Sequence, residues 1–391
     1  MRIQKPLNIK KQKLILLLIV FFNFFNISIK SQTAEENTLA GIDLIYHLKF
    51  DSAESKFREI INADRRNPAG YFFLAMIDWW KINLNKENES LDEIFFGKVD
   101  KVIEVADEML DKNENDDNAM FYKGGALGYR GLVKGLRESW LKAAEDGREA
   151  INLLQRANEI NMNNKDVLFG VGLYNYFAEY IPETYPVVKP LMLIFPKGDK
   201  VKGLSQIKET LNGSKYAKTE AKYVLAYLNV IYEKNYIEAE TYSKSLTEEF
   251  PENPVFQKYL GNSYVGQGKW TEALSVWKSI IEKTDSSKPG YSSVFLKRES
   301  NYYTALCFLK LNRIIEAEPY VEKALEITQK IDTENDDAYT SYIYLISGML
   351  NDVKGNKSTA INFYDKVLSM KNYQNSHQEA ERFKKDGYKQ F

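Results

Sequence analysis

Gly261 and Ala273 stand twelve residues apart within Pro254–Asp285 (PVFQKYLGNSYVGQGKWTEALSVWKSIIEKTD), and Gly41 and Ala53 repeat that interval near the N-terminus. Around the small residues of the longer stretch lie Leu260, Tyr264, Trp270, Trp277 and Ile280, with Gly268 between the two apolar groups. Residues three and four apart share one face of a helix. The spacing therefore predicts two antiparallel helices joined by a tight turn. Their backbones come closest at Gly261 and Ala273, and Tyr264 and Trp277 fill the space around them. A lone helix pair cannot cover its own apolar face, so the unit has to stack on others like it.

The pattern resembles the tetratricopeptide repeat (TPR), whose period is about 34 residues. The resemblance implies an all-α fold, a right-handed α-solenoid of about seven helix pairs by that period. Regular units are expected at 38–68, 220–253, 254–287, 298–330 and 341–370. A polar last helix (NSHQEAERFKKDGYKQF) suits the open end of a stack, where no further repeat covers it.

Residues 70–220 depart from the schedule. AGYFFLAMIDWWKINL is apolar nearly all round, as in a helix packed on both sides. After the polar NKENES comes a long amphipathic helix from Leu91 to Leu110. The next helix carries Gly124, Gly125, Gly128, Gly131 and Gly135. No strand precedes these glycines and their spacing does not make a phosphate loop, so close approach of a neighbouring helix is the reading taken. Residues 181–200 hold Pro182, Pro186, Pro190 and Pro196, a density that excludes regular helix. Between the prolines lie Val187, Leu191, Met192, Leu193, Ile194 and Phe195, an apolar set expected either to pack on the array or to form an interaction loop.

The segment GVGLYNYFAEYIPETYPVVKPLMLIFPKGDKVKGLSQIKE is similar to a TPR family that includes an inclusion-body clearance protein of the mitochondrial outer membrane and lipid droplets. The resemblance rests on Gly170, Gly172, the Tyr174-Asn175 pair, the Pro-containing apolar segment from Pro182 to Phe195, and Gly198-Asp199-Lys200 with Gly203. It spans about forty residues and implies a TPR fold in a membrane-adjacent setting.

Residues 1–13 carry five bases and no acid, and an apolar run from Leu14 to Ile29 follows, broken by Asn23, Asn26 and Ser28. Basic head, short apolar core and small Ser31 read as a secretory signal peptide at 1–31, cleaved near Ser31. A spanning helix wants about 20 apolar residues, so a retained anchor is the alternative this run fits less well. The expectation is an exported protein: periplasmic, outer-membrane-associated or secreted. Without the six bases of residues 1–31 the chain holds 47 bases against 54 acids, net −7. That balance, with no basic block, argues against a nucleic-acid partner. Cys307 is the single cysteine, so no internal disulfide can form, and its apolar surroundings (TALCFLKL) suit a buried thiol.

Nothing in the sequence spells a catalytic constellation or a metal or cofactor motif. His47 and His377 lie far apart, and the acidic clusters Glu114–Asp117 and Asp332–Asp337 lack the ligand alternation of a calcium loop. Binding is the reading that remains, with an enzyme subunit or a glycan or lipid binder, lidded by 181–200, as the alternative. The TPR resemblance places the first helix of each pair on the concave face. Its inward offsets fall on Tyr71, Asp78, Phe169, Leu173, Tyr176, Val224, Leu228, Lys258, Asn262 and Tyr302. A mixed aromatic groove of this kind suits another protein or an extended peptide, with peripheral contact to a membrane or an outer-membrane complex. Lys258 and Asn262 match two places of the carboxylate clamp of chaperone-binding TPR domains. Tyr303, Tyr342 and Ile346 occupy the others, so a clamp is not expected.

Overall fold

The computed structural model describes residues 32–388 apart from 185–188, 190–194 and 332–336. The signal segment and Val187, Leu191, Met192, Leu193 and Ile194 lie outside the described residues. All the regular structure described is helical. In chain order the helices are α1 (32–46), α2 (Phe50–Ala63), α3 (Pro68–Leu84), α4 (Asp92–Leu110), α5 (Asp117–Leu136), α6 (Trp140–Ile160), α7 (Lys165–Thr184) and α8 (Lys200–Thr210). There follow α9 (Lys218–Ile231), α10 (Tyr236–Glu249), α11 (Pro254–Gly266), α12 (Trp270–Asp285), α13 (Val294–Lys310), α14 (Ile314–Ile331), α15 (Ala338–Val353), α16 (Lys357–Ser369) and α17 (Ser376–Asp386). Among the described residues no helix is long and apolar enough to cross a membrane.

The chain forms two compact units. The first holds residues up to Trp80 together with Ser90–Lys200, and the second holds Lys81–Glu89 and everything from Val201 onward. The first contains the hairpins α1–α2, α3–α4 and α5–α6; the second contains α9–α10, α11–α12, α13–α14 and α15–α16. The polar helix α17 buries Ala380 and Phe383 against the α15–α16 pair, which fits it to end the second stack. These are TPR-type helix pairs.

The pairs are built on a contact sixteen residues long. A Cβ on Gly41 would meet the Phe57 ring at 2.3 Å, one on Gly261 the Trp277 ring at 2.7 Å, and one on Gly348 the Tyr364 ring at 2.3 Å. Each first helix thus gives up a side chain so that an aromatic of the second can lie on its backbone. Phe57, Trp277 and Tyr364 are each 0% exposed, and burying such a ring stabilises the fold by about 2–3 kcal/mol. The turns also repeat. Leu48, Glu138, Gly268, Asn312 and Gly355 all have left-handed φ, between 56° and 79°. After each, the next N–H reaches back five residues, as Lys49 to the Leu44 carbonyl (2.9 Å) and Lys269 to the Tyr264 carbonyl (2.9 Å). This bond satisfies a carbonyl the helix end leaves open.

In the first unit the glycine-rich α5 lets neighbouring helices come close at three positions, α6 at Gly124 and Gly131 and α3 at Gly125, and not at two others. A Cβ on Gly124 would press on Leu154 at 2.9 Å, one on Gly125 on Phe72 at 3.1 Å, and one on Gly131 on the Ala143 carbonyl at 3.2 Å. Gly128 meets nothing, and Gly135 has only ordinary contacts. One correction concerns 181–200: α7 continues through Pro182 to Thr184. Near a helix end a proline removes one hydrogen bond without stopping the last turn. Beyond it, Gly198-Asp199-Lys200 docks on α7. The Asp199 N–H donates to the Asn175 carbonyl (3.1 Å), the Lys200 N–H to Glu179 Oε2 (2.5 Å), and Tyr174 Oη to the Pro196 carbonyl (2.6 Å). A Cβ on Gly198 would sit 2.6 Å from the Glu179 nitrogen, so only glycine lets the turn lie this close. The Tyr174-Asn175 pair and the Gly-Asp-Lys turn of the resemblance are thus two halves of one contact.

Candidate partner-binding face

In the second unit the first helices α9, α11, α13 and α15 line up tyrosines. On α9, Tyr223 and Tyr227 each lie 5.8 Å from Tyr259 of α11, and the Tyr227 and Tyr232 hydroxyls are 3.0 Å apart. On α13, Tyr302 stacks on Tyr342 of α15 at 6.1 Å and meets Tyr339 edge-on at 5.9 Å. Tyr303 lies flat on Trp277, 4.6 Å between centroids and 18° between planes. Burial lifts the hydroxyls of Tyr223, Tyr259, Tyr303 and Tyr339 well above the ordinary phenol range, so they stay neutral donors.

Charge is set into this aromatic surface. Glu299, 4% exposed, takes an ion pair from Lys258 at 2.5 Å and a hydrogen bond from the Tyr339 hydroxyl. Arg298, also 4% exposed, pairs with Asp337 at 2.5 Å and lies over the Tyr339 ring at 5.7 Å. A buried charge is tolerated only when paired, and both pairs bridge adjacent helices, tying α11 to α13 and α13 to the start of α15. Asn262 Oδ1, Arg298 Nε and Ser341 Oγ are buried without a hydrogen-bond partner.

The residues Lys81–Glu89 complete the second unit. The Asn83 amide and the Tyr223 hydroxyl exchange hydrogen bonds at 3.1 and 3.3 Å. The Lys86 ammonium lies over the Tyr227 ring at 5.9 Å, and Asn85 Oδ1 is 3.5 Å from Ser293 Oγ. Burial, and then the Lys258 charge, push the Lys86 amine down to about 8.

The expected groove residues scatter. Lys258, Asn262 and half-buried Tyr302 lie on the tyrosine-lined helices. Val224 is 8% exposed, Leu228 0% and Tyr223 5%, so on α9 the offsets fall on core and half-buried Tyr227 is the tyrosine that reaches the surface. In the first unit Tyr71 donates to the Arg65 carbonyl (3.2 Å), while Asp78 is buried and ion-paired to Lys98 at 2.5 Å. Phe169 is buried, Leu173 half-buried, and Tyr176 fully buried and stacked on Tyr180 at 5.9 Å. Asp78, Tyr176 and Leu228 are therefore internal residues and present no surface to a ligand. Of the apolar residues of 181–200 named above, Phe195 is described and is half-buried. At the clamp positions, Ile346 is core and Lys258 already holds Glu299. The offsets missed Tyr223, Tyr227, Tyr259, Glu299 and Tyr339; the signal for them is tyrosine recurring in every first helix from α9 to α15.

No family model matches the sequence, and no curated protein matches it. Among solved structures, the chain is similar to a tetratricopeptide repeat protein from Parabacteroides merdae, with 14% identity over 81% of this chain and 99% of that one, TM-score 0.41. It is similar also to yeast Tom70, with 16% identity over 81% of this chain and 64% of that one, TM-score 0.42. Human IFIT1, solved as a dimer with PPP-AAAA, is 12% identical over 90% of this chain and 84% of its own, TM-score 0.44.

Proposed function

We propose that the protein is an exported TPR scaffold of the cell envelope that binds another polypeptide on the inner face of its second unit. The observation that carries the reading is the tyrosine-lined surface of α9, α11, α13 and α15, with Glu299 and Arg298 fixed in it by ion pairs. Aromatic rings with neutral hydroxyls supply large contact area at little entropic cost, and unpaired amides and hydroxyls can meet backbone groups of an extended chain. The basic-then-apolar residues 1–31 support export, and a mature net charge of −7 speaks against nucleic acid as the ligand.

The test uses the mature chain as bait in cross-linked envelopes. Tyr302→Ala with Tyr342→Ala is expected to lower capture of the partner about tenfold or more, the loss of two aromatic anchors, with helical circular dichroism unchanged. Equal capture by wild type and variant would overturn the reading. Export is checked separately: the mature N-terminus should lie near Gln32, and an intact Met1 on membranes would refute cleavage.

A further inference from the structure

In the second unit α12, α13 and α14 enclose a cleft of about 590 Å³, within the range of roughly 300–1,000 Å³ that small-molecule sites occupy. Asn301 of α13 lines it and is only 3% exposed. Its amide nitrogen donates to the Lys297 carbonyl one turn back (2.8 Å), and among the described residues nothing donates to its Oδ1. A buried amide oxygen without a donor costs free energy unless the contents of the cleft supply one.

The rest of the wall is mixed. Half-buried Ile281 of α12 and Pro319 and Tyr320 of α14 supply apolar surface. The Tyr320 ring is stacked on Phe308 at 5.5 Å, and among the described residues its hydroxyl makes no hydrogen bond. Lys278 and Glu282 stand one turn apart on α12, both exposed, and neither holds an ion pair among the described residues. Lys297, by contrast, is held by Asp285 at 2.6 Å, and Lys323 by Glu326 at 2.7 Å. The two signs of charge therefore balance around the cleft. An ammonium has three donors and a carboxylate about four acceptor sites, so each ion pair keeps hydrogen-bonding capacity to spare.

A ligand for such a wall has to bring donors and acceptors together, an apolar face, and no net charge. An anion would gain at Lys278 and lose at Glu282, and a cation the reverse. A hydroxyl is donor and acceptor at once, and a sugar ring carries hydroxyls round its edge and C–H bonds on its faces. We propose that the cleft is a binding site for a neutral saccharide of one or two rings. Its C–H face lies on Ile281, Pro319 and Tyr320, and its hydroxyls donate to Asn301 Oδ1 and to the Glu282 carboxylate. The Lys278 ammonium and the Tyr320 hydroxyl donate to its oxygens. Asn301 stands about 100° round α13 from Tyr302, so the site goes beyond the polypeptide-binding reading and stands without it.

The test is calorimetric titration of the full mature chain with glucose, maltose and cellobiose, and with glucuronate and glucosamine as charged counterparts of glucose. At least one neutral sugar is expected to bind with a Kd of about 1 mM or tighter, and neither charged sugar should bind more tightly than glucose. Tyr320→Phe and Lys278→Ala each remove one donor, and each should weaken the neutral sugar about threefold to tenfold with helical circular dichroism unchanged. Asn301→Ala should weaken it as well, and the two surface variants carry the test if that one does not fold. No binding of any of the three neutral sugars would overturn the proposal. So would tighter binding of glucuronate or glucosamine than of glucose, which would make the cleft an ion site, or full affinity in both Tyr320→Phe and Lys278→Ala.

Discussion

The Trp277 ring lies where a side chain on Gly261 would have to be, its Nε1 and Cε2 atoms 2.7 Å from the position of a Cβ. It cannot back away, because its other face is stacked on Tyr303 at 4.6 Å and the residue has no exposed surface. Gly261→Ala would gain about 1 kcal/mol of helix propensity and lose more to overpacking, about 1–3 kcal/mol. The variant should therefore melt at a lower temperature than wild type by calorimetry, despite alanine being the better helix former. An unchanged or raised melting temperature would mean that the ring can move after all.

A second prediction concerns the turns. Gly268 sits at φ 71°, in the same place where Leu48 and Glu138 tolerate φ 59° and 56°. A left-handed backbone costs a residue with a Cβ about 1–2 kcal/mol, so Gly268→Ala should destabilise by about 1 kcal/mol and Glu138→Gly should stabilise by a few tenths to 1 kcal/mol. Urea denaturation of the two variants checks the opposite signs, and the same sign in both would sink the argument.

The fold was legible because its repeat is written twice, once in small residues and once in aromatics. The twelve-residue interval from Gly261 to Ala273 marks where two backbones approach. The contact that fills that approach, sixteen residues from Gly41 to Phe57, from Gly261 to Trp277 and from Gly348 to Tyr364, is of the same period class and equally visible once the partner is known. The face was harder to read. Offsets counted from a helix start shift with each extra residue, and one residue turns a helix by about 100°. On α9 that slip separates the core residue Leu228 from half-buried Tyr227 beside it. Asn83 and Lys86 could not be placed on it at all from sequence, since their contacts lie 140 residues away, as between Asn83 and Tyr223.

In the first unit Asp146 of α6 holds two cations. Its side chain is 7% exposed; it receives Arg130 through Nε at 2.9 Å and Nη2 at 2.8 Å, and Lys134 at 2.7 Å. Asp146→Ala would leave two cations short of a counter-charge, a loss of about 3 kcal/mol, held at the lower end for buried pairs because Arg130 keeps Asp100 at 2.6 Å. Glu149→Ala, which breaks the exposed end of a pair with Lys123, should cost less than about 1 kcal/mol. Chemical denaturation of both would show a clear gap; similar losses would mean that Asp146 is solvated more than its burial implies.

The last prediction is a pH dependence that belongs to one residue. Lys86 releases its proton at about 8 in the folded chain and at its ordinary 10.5 when exposed. Between those values the unfolded state binds more protons than the folded one, so stability rises with pH across that window and the penalty stands in full below it. Charged groups near it include Lys258 and Glu299 on the facing helices and Glu87 beside it. The melting temperature of wild type is therefore expected to gain on that of Lys86→Met as pH is raised from 7 toward 10, the variant being the more stable of the two at pH 7 because it carries no charge into the tyrosine face. Melting curves at half-unit steps of pH would settle it: parallel curves for the two proteins would show that Lys86 keeps its charge solvated.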